Sequence, residues 1–142
     1  MRMVLDTNVL VSALITPGGL PDQLLQRWEA GDLTLVTSAE QLDEVKRVFA
    51  YEKLKRFINP EQAARLVENL RHAAAIVVNL PQVNASKDAS DNVIIATAIA
   101  GNATHLATGD KGDLLGLKQV QHVSIISVQQ AVRLLDAQPQ GE

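Results

Sequence analysis

The sequence predicts a single three-layer α/β/α domain built on a mostly parallel sheet of about five strands. Three observations carry that expectation. Short runs rich in Val, Leu, Ile and Thr alternate with helical patterns along the whole chain, and such alternation implies right-handed crossovers that cover both faces of a parallel sheet. The 142 residues suffice for one proper core, and no repeat or linker divides them, so 1–142 reads as one domain. Apolar residues make up 46% of the chain but aromatic residues only 3%, so that core is built of Val, Leu, Ile and Ala.

The elements follow in order. "RMVLD" (2–6) is a buried strand ending on Asp6, and a helix covers 8–14. "TPGG" (16–19) is a turn, and "LPDQLLQRWEAG" (20–31) a helix with Pro near its start and Gly at its end. "LTLVTS" (33–38) is the second strand. Ser38 stands three residues before Gln41, a capping-box pattern that opens a helix reaching Val48 or beyond. Residues 59–74 form a helix with Pro60 in its first turn, and "AIVVNL" (75–80) is the third strand. After a polar loop, "PQVNASKDAS" (81–90), an apolar helix over 90–101 ends at a glycine. "THLATG" (104–109) and "HVSIIS" (122–127) are strands four and five, and 128–137 the closing helix.

Composition excludes several kinds of chemistry. The chain has no cysteine, hence no disulfide framework, thiolate nucleophile or zinc–cysteine site. Neither a secretory apolar segment nor a membrane-length run is present, and a cytoplasmic protein is the expectation. The net charge of -3 does not advertise nucleic-acid binding, but charge is unevenly spread. Residues 46–71 carry Lys46, Arg47, Lys53, Lys55, Arg56, Arg65 and Arg71, more than half of the 13 basic residues. Lys46, Arg47, Lys53, Lys55 and Arg56 are the candidate phosphate-tracking residues. Phe49, Tyr51 and Phe57 lie among them, as base-stacking platforms or as core and dimer contacts.

The acids locate the candidate site. In an open α/β sheet, ligands bind outside the carboxyl ends of the strands. Asp6 ends the first strand and Asp110 follows the fourth. Asp88 and Asp91 open the helix after the third, and Glu44 rides on the helix after the second. Carboxylates brought together repel one another and lose hydration, so such a cluster calls for a cation. Oxygen ligands with no His or Cys beside them favour Mg²⁺ or Mn²⁺. The chemistry this supports best is hydrolysis of a phosphodiester. Each acid also has an ordinary use. Asp6, Thr7, Asn8, Asp88, Ser90 and Asp91 are all suited to helix capping, Asp110 to a turn, and Glu44 to a solvated helix face. Their joint fall on one rim of the sheet favours the site. His105 and His122 stand at the opposite ends of their strands, and His72 at a helix end, away from that rim; Trp28 reads as core or interface.

"VLDTNVLVSAL", "EQLDEVKRV", "DASDNVIIATAIAGNATHLATGDKGDLL" and "VSIISVQQA" together resemble a PIN domain, and the small single-domain form is similar to toxins of prokaryotic toxin–antitoxin pairs. The resemblance spans nearly the whole chain. It implies that Asp6, Glu44, Asp91 and Asp110 are the catalytic, metal-ligating acids. Thr7, Asn8, Asp88, Asn92 and Asp113 stand in a second tier. It further implies a Mg²⁺- or Mn²⁺-dependent ribonuclease, an RNA substrate, a homodimer and a cognate antitoxin protein. An inactive PIN-like scaffold that binds RNA or a partner is the alternative, and retention of all four acids argues against it. A haloacid-dehalogenase-like phosphatase would show Asp-x-Asp where this chain has "DTN". A response-regulator receiver would place an Asp after strand three, where this chain runs into "NLPQV".

Overall fold

β1 (Arg2–Leu5) is apolar on both faces, and that places it in the middle of the sheet: Met3, Val4 and Leu5 are all buried. In the computed structural model, which describes residues 1–109 and 112–138, it is joined by β2 (Thr34–Ser38), β3 (Ala75–Val77), β4 (His105–Thr108), β5 (Gln119–Val120) and β6 (Val123–Ser127). The order across the sheet is β3-β2-β1-β4-β6-β5. All neighbours run parallel except β5, which folds back on β6 as an antiparallel edge.

Side chains alternate across a strand, so the sheet feeds two cores. Met3 and Leu5 join a cluster with Leu10, Leu24, Trp28, Leu66 and Leu135. That side is covered by α1 (Thr7–Ile15), α2 (Leu20–Glu29), α4 (Pro60–Ala73) and α7 (Val128–Ala137), with Leu42 and Val45 of α3 (Ala39–Phe49). Val4 faces the other way, with Val36, Leu106 and Ile125, under Ile94, Ile95 and Ala98 of α5 (Ala89–Ala100) and Leu114 of α6 (Asp113–Leu117). Three α/β/α layers result, as expected. Each fully buried Leu or Ile contributes on the order of 1.5–3 kcal/mol. Trp28 lies in the first core. Arg27 clips α2 to α7, donating to Asp136 Oδ1 at 2.7 Å and to the Leu135 carbonyl at 3.1 Å.

Several elements differ from expectation. The third strand, expected over 75–80, stops at Val77, and Asn79 then takes a positive φ of 58° that turns the chain away. Two short elements carried no readable pattern: the five-residue α6 and the two-residue β5. A single 3-10 turn, Glu52–Leu54, joins α3 to α4. The capping box expected at Ser38 is only half formed. Ser38 Oγ accepts from the Gln41 backbone N–H at 3.1 Å, but the Gln41 side chain does not return to Ser38. A complete box stands instead at Ser127 and Gln130, opening α7.

One glycine is required by packing. Gly101 ends α5 directly over β2, and a Cβ there would lie 2.4 Å from Val36 Cγ1. Its carbonyl also accepts from Arg2 Nε at 2.8 Å, which fastens the helix end to the start of β1.

Candidate active site

The chain leaves β1 to build β2 and β3 on one side, then returns to place β4 on the other. The crevice between β1 and β4 is therefore the point where the strand order reverses, where sheets of this kind bind ligands. Asp6 follows β1 at this point, and Thr108 ends β4 beside it.

Asp6 occupies the N-cap position of α1, and its backbone does the work of a cap. Its carbonyl accepts from the Val9 N–H at 2.9 Å, and its own N–H donates to the Ala107 carbonyl at 2.9 Å. The carboxylate is not used to cap the helix. It is buried, only 8% exposed, and accepts from Thr108 Oγ1 at 2.9 Å. Burial raises its pKa to about 6 from an ordinary 3.8, with the Asp91 and Glu44 charges adding to the rise; the Thr108 hydrogen bond and the Thr7 N–H pull the other way.

Glu44 and Asp91 complete a three-sided acidic recess. Glu44 is half-buried on α3, and the Thr7 hydroxyl donates to its Oε1. Asp91 lies in the first turn of α5 and accepts from Ser86 Oγ at 3.1 Å. With Thr7, Asn8, Asp88, Ser90, Val48 and Ile94, these acids line a cavity of about 140 Å³. Asp110 lies outside the described residues.

The second tier divides by what each side chain does. Asn8 is exposed at the cavity mouth. Asp88 caps α5, accepting from the Ser90 N–H at 2.8 Å and the Ser90 hydroxyl at 2.6 Å, bonds that hold its carboxyl below the usual range. Asn92 grips the loop before the helix: its Oδ1 accepts from the Ser86 N–H and its Nδ2 donates to the Ser86 carbonyl, both at 2.8 Å. Asp113 is exposed at the start of α6 and does not line the cavity. Thr108 and Ser86 were not singled out from sequence, yet each hydrogen-bonds an acid of the recess. Thr108 stands two residues before Asp110 at a strand end, and Ser86 lies in the polar loop, so position alone offered a signal for both.

The donors fit a hard divalent cation in chemistry. The polar side chains lining the cavity offer carboxylate and hydroxyl oxygens and the Asn8 amide, and the buried Asp6 carboxylate faces two like charges that a cation would neutralise. Among the described residues, no group of three His, Cys, Asp or Glu side chains is disposed to hold an ion unaided.

Next to this recess, α3 runs into the basic segment. Lys46 and Arg47 are exposed in the last turn of α3, as are Lys53, Lys55 and Arg56 beyond it. Lys53 Nζ sits 5.8 Å from the centre of the Tyr51 ring, and Lys55 pairs with Glu52 at 2.9 Å. The aromatics separate: Phe49 packs in the small cluster between α1, α3 and α4, whereas Tyr51 and Phe57 are exposed, Phe57 at 58%.

A parallel α/β sheet with acids gathered at its reversal point places the recess where open sheets of this class bind ligands. Residues 2–112 match the PIN domain family, and the chain belongs to it. PIN domains are generally nucleases that work with divalent metals. The chain is also similar to an uncharacterized protein of Methanocaldococcus jannaschii, at 29% identity over 119 residues, covering 83% of this chain and 76% of the relative. No helix among the described residues is long and apolar enough to cross a membrane.

Proposed function

We propose that the protein is a Mg²⁺- or Mn²⁺-dependent endoribonuclease. The observation that carries this reading is the convergence of Asp6, Glu44 and Asp91, from three separate segments, on one cavity at the reversal point of the sheet. Asp6, Asp91 and Asp110 would hold the cation, with Glu44 contributing directly or through water. When bound, the cation would activate the attacking water and offset charge on the phosphate oxygens. The chain's own residues prepare this. Thr108, Ser86 and the Thr7 hydroxyl each donate to one carboxylate and so fix its orientation beside the cavity. Lys46, Arg47, Lys53, Lys55 and Arg56 would hold the RNA backbone against an otherwise acidic rim. In-line hydrolysis would leave a 5′-phosphate on one fragment and a 3′-hydroxyl on the other.

The test is cleavage of RNA by wild type and Asp6→Asn, each with and without EDTA. Activity restricted to wild type with free divalent cation is the expected result; activity that survives both treatments overturns the metal assignment. A homodimer in the cytoplasm, held in check as a toxin by a cognate antitoxin, is the finer role proposed. A small DNA-binding protein encoded just upstream would support it. An inactive scaffold would show no carboxylate-dependent uptake of Mn²⁺ in calorimetry.

A further inference from the structure

Gln41 is 1% exposed, and both polar atoms of its side chain are hydrogen-bonded next to the base of the acidic recess. Its Nε2 donates to the Leu5 carbonyl at 2.7 Å, and its Oε1 accepts from Thr37 Oγ1 at 2.7 Å. The Leu5 carbonyl belongs to the peptide group immediately before Asp6. It also lies one residue beyond the last paired position of β1 and β2, Val4↔Val36. Gln41 thus supplies the next rung between the two strands from a helix, using a side chain that a capping box would otherwise have sent to Ser38.

The consequence lies in where this helix goes next. Glu44 is three residues on, one turn further along the same face of α3. Thr7, on the other side of Asp6, donates to Glu44. The residues before and after Asp6 are therefore each held by successive turns of one helix, Leu5 by Gln41 and Thr7 by Glu44. A buried amide of this kind makes a poor space-filler, because its polar atoms gain nothing unless their partners are in place.

We propose that Gln41 is a positioning residue that sets the separation of the Asp6 and Glu44 carboxylates, and through it the affinity of the recess for a divalent cation. The inference rests on the metal-dependent reading of the site. Gln41 itself touches neither substrate nor cation.

The experiment is calorimetric titration of the intact protein with Mn²⁺ alone, together with kcat and KM on RNA and a thermal melt. Gln41→Met preserves volume and removes both bonds; it should bind Mn²⁺ about tenfold more weakly and lose kcat with KM for RNA unchanged. Thr37→Val removes only the bond that orients the Gln41 amide, and about a threefold loss of Mn²⁺ affinity is expected. Thr37→Ser restores the hydroxyl and should restore wild-type affinity. Should Gln41→Met fail to fold, the two Thr37 variants decide the matter. Wild-type Mn²⁺ affinity in folded Gln41→Met or in Thr37→Val, with only the melting temperature lowered, marks a merely structural amide and overturns the proposal. Wild type binding Mn²⁺ no better than Asp6→Asn overturns the metal-dependent reading itself, and the role of Gln41 with it.

Discussion

Thr108 Oγ1 reaches across from the end of β4 to donate a 2.9 Å hydrogen bond to Asp6 Oδ2, joining residues 102 positions apart. The bond stabilises the carboxylate form of Asp6, yet burial and the nearby acids outweigh it and the carboxyl remains raised, at about 6.

That balance gives a pH dependence with a definite sign. A carboxyl whose pKa is about 6 when folded and 3.8 when ordinary binds more protons folded than unfolded between those values. Its contribution is fully present below pH 3.8 and is lost as pH rises through 6, a swing of about 3 kcal/mol. In EDTA, Asp6→Asn should be the more stable protein at pH 7.5, with the difference narrowing towards pH 4.5. Urea unfolding of the two proteins at both pH values measures it. Parallel stability at the two pH values would refute the assignment.

Divalent cation should reverse this disadvantage of the wild type. Mn²⁺ at one hundred times its dissociation constant stabilises the form that binds it by about 2.7 kcal/mol. Thermal melts should show a rise for wild type and none for Asp6→Asn.

Asn92 holds Ser86 by two backbone hydrogen bonds, and Ser86 in turn donates to Asp91. Asn92→Ala should cost about 1–3 kcal/mol and release the loop before α5. Limited proteolysis should then cut within 79–88 faster than in wild type, while Asp88 continues to cap the helix.

Gly101→Ala sets a Cβ against Val36 Cγ1 at 2.4 Å, in a part of the sheet where Val36 is 1% exposed. A loss of about 1–3 kcal/mol is expected. Val36→Ala makes room, so the double variant should be more stable than the sum of the two single losses; strict additivity in denaturant unfolding would count against the contact.

Lys53→Ala, Lys55→Ala and Arg56→Ala combined should weaken RNA binding and flatten its dependence on salt, since fewer counterions are released per complex. Filter binding across a salt series reads the slope, and an unchanged slope would remove the segment from the RNA path.

The architecture was legible because its main elements carry strong patterns. β1 and β4 carry short apolar stretches, 3–5 and 106–107, and Pro60, Ser38 and Gly101 mark helix ends by chemistry that hardly depends on the rest of the fold. β5 and α6 were not legible, because two and five residues are too few to show a period. At the site, Asp6 and Asp110 could be proposed from strand ends, and Glu44 and Asp91 from the helices that follow strands two and three. What supports them could not. Thr108 and Gln41 act through partners distant in sequence, Ser86 through a loop with no regular pattern: "SAEQ" reads as a capping box, and only the tertiary structure diverts Gln41 to Leu5.

The strand order bears on how the protein is made. β1 is synthesised at once, but its second neighbour, β4, follows only after five α-helices and the two strands β2 and β3 have been completed. Until then β1 is a bare edge, and Asp6 lacks the hydroxyl that orients it. The acidic centre is therefore completed by the late addition of β4 to the free edge of β1, with β6 joining only afterwards. A nascent or truncated chain that stops short of β4 lacks the Thr108 partner of Asp6, so the recess takes its final form only with the finished fold.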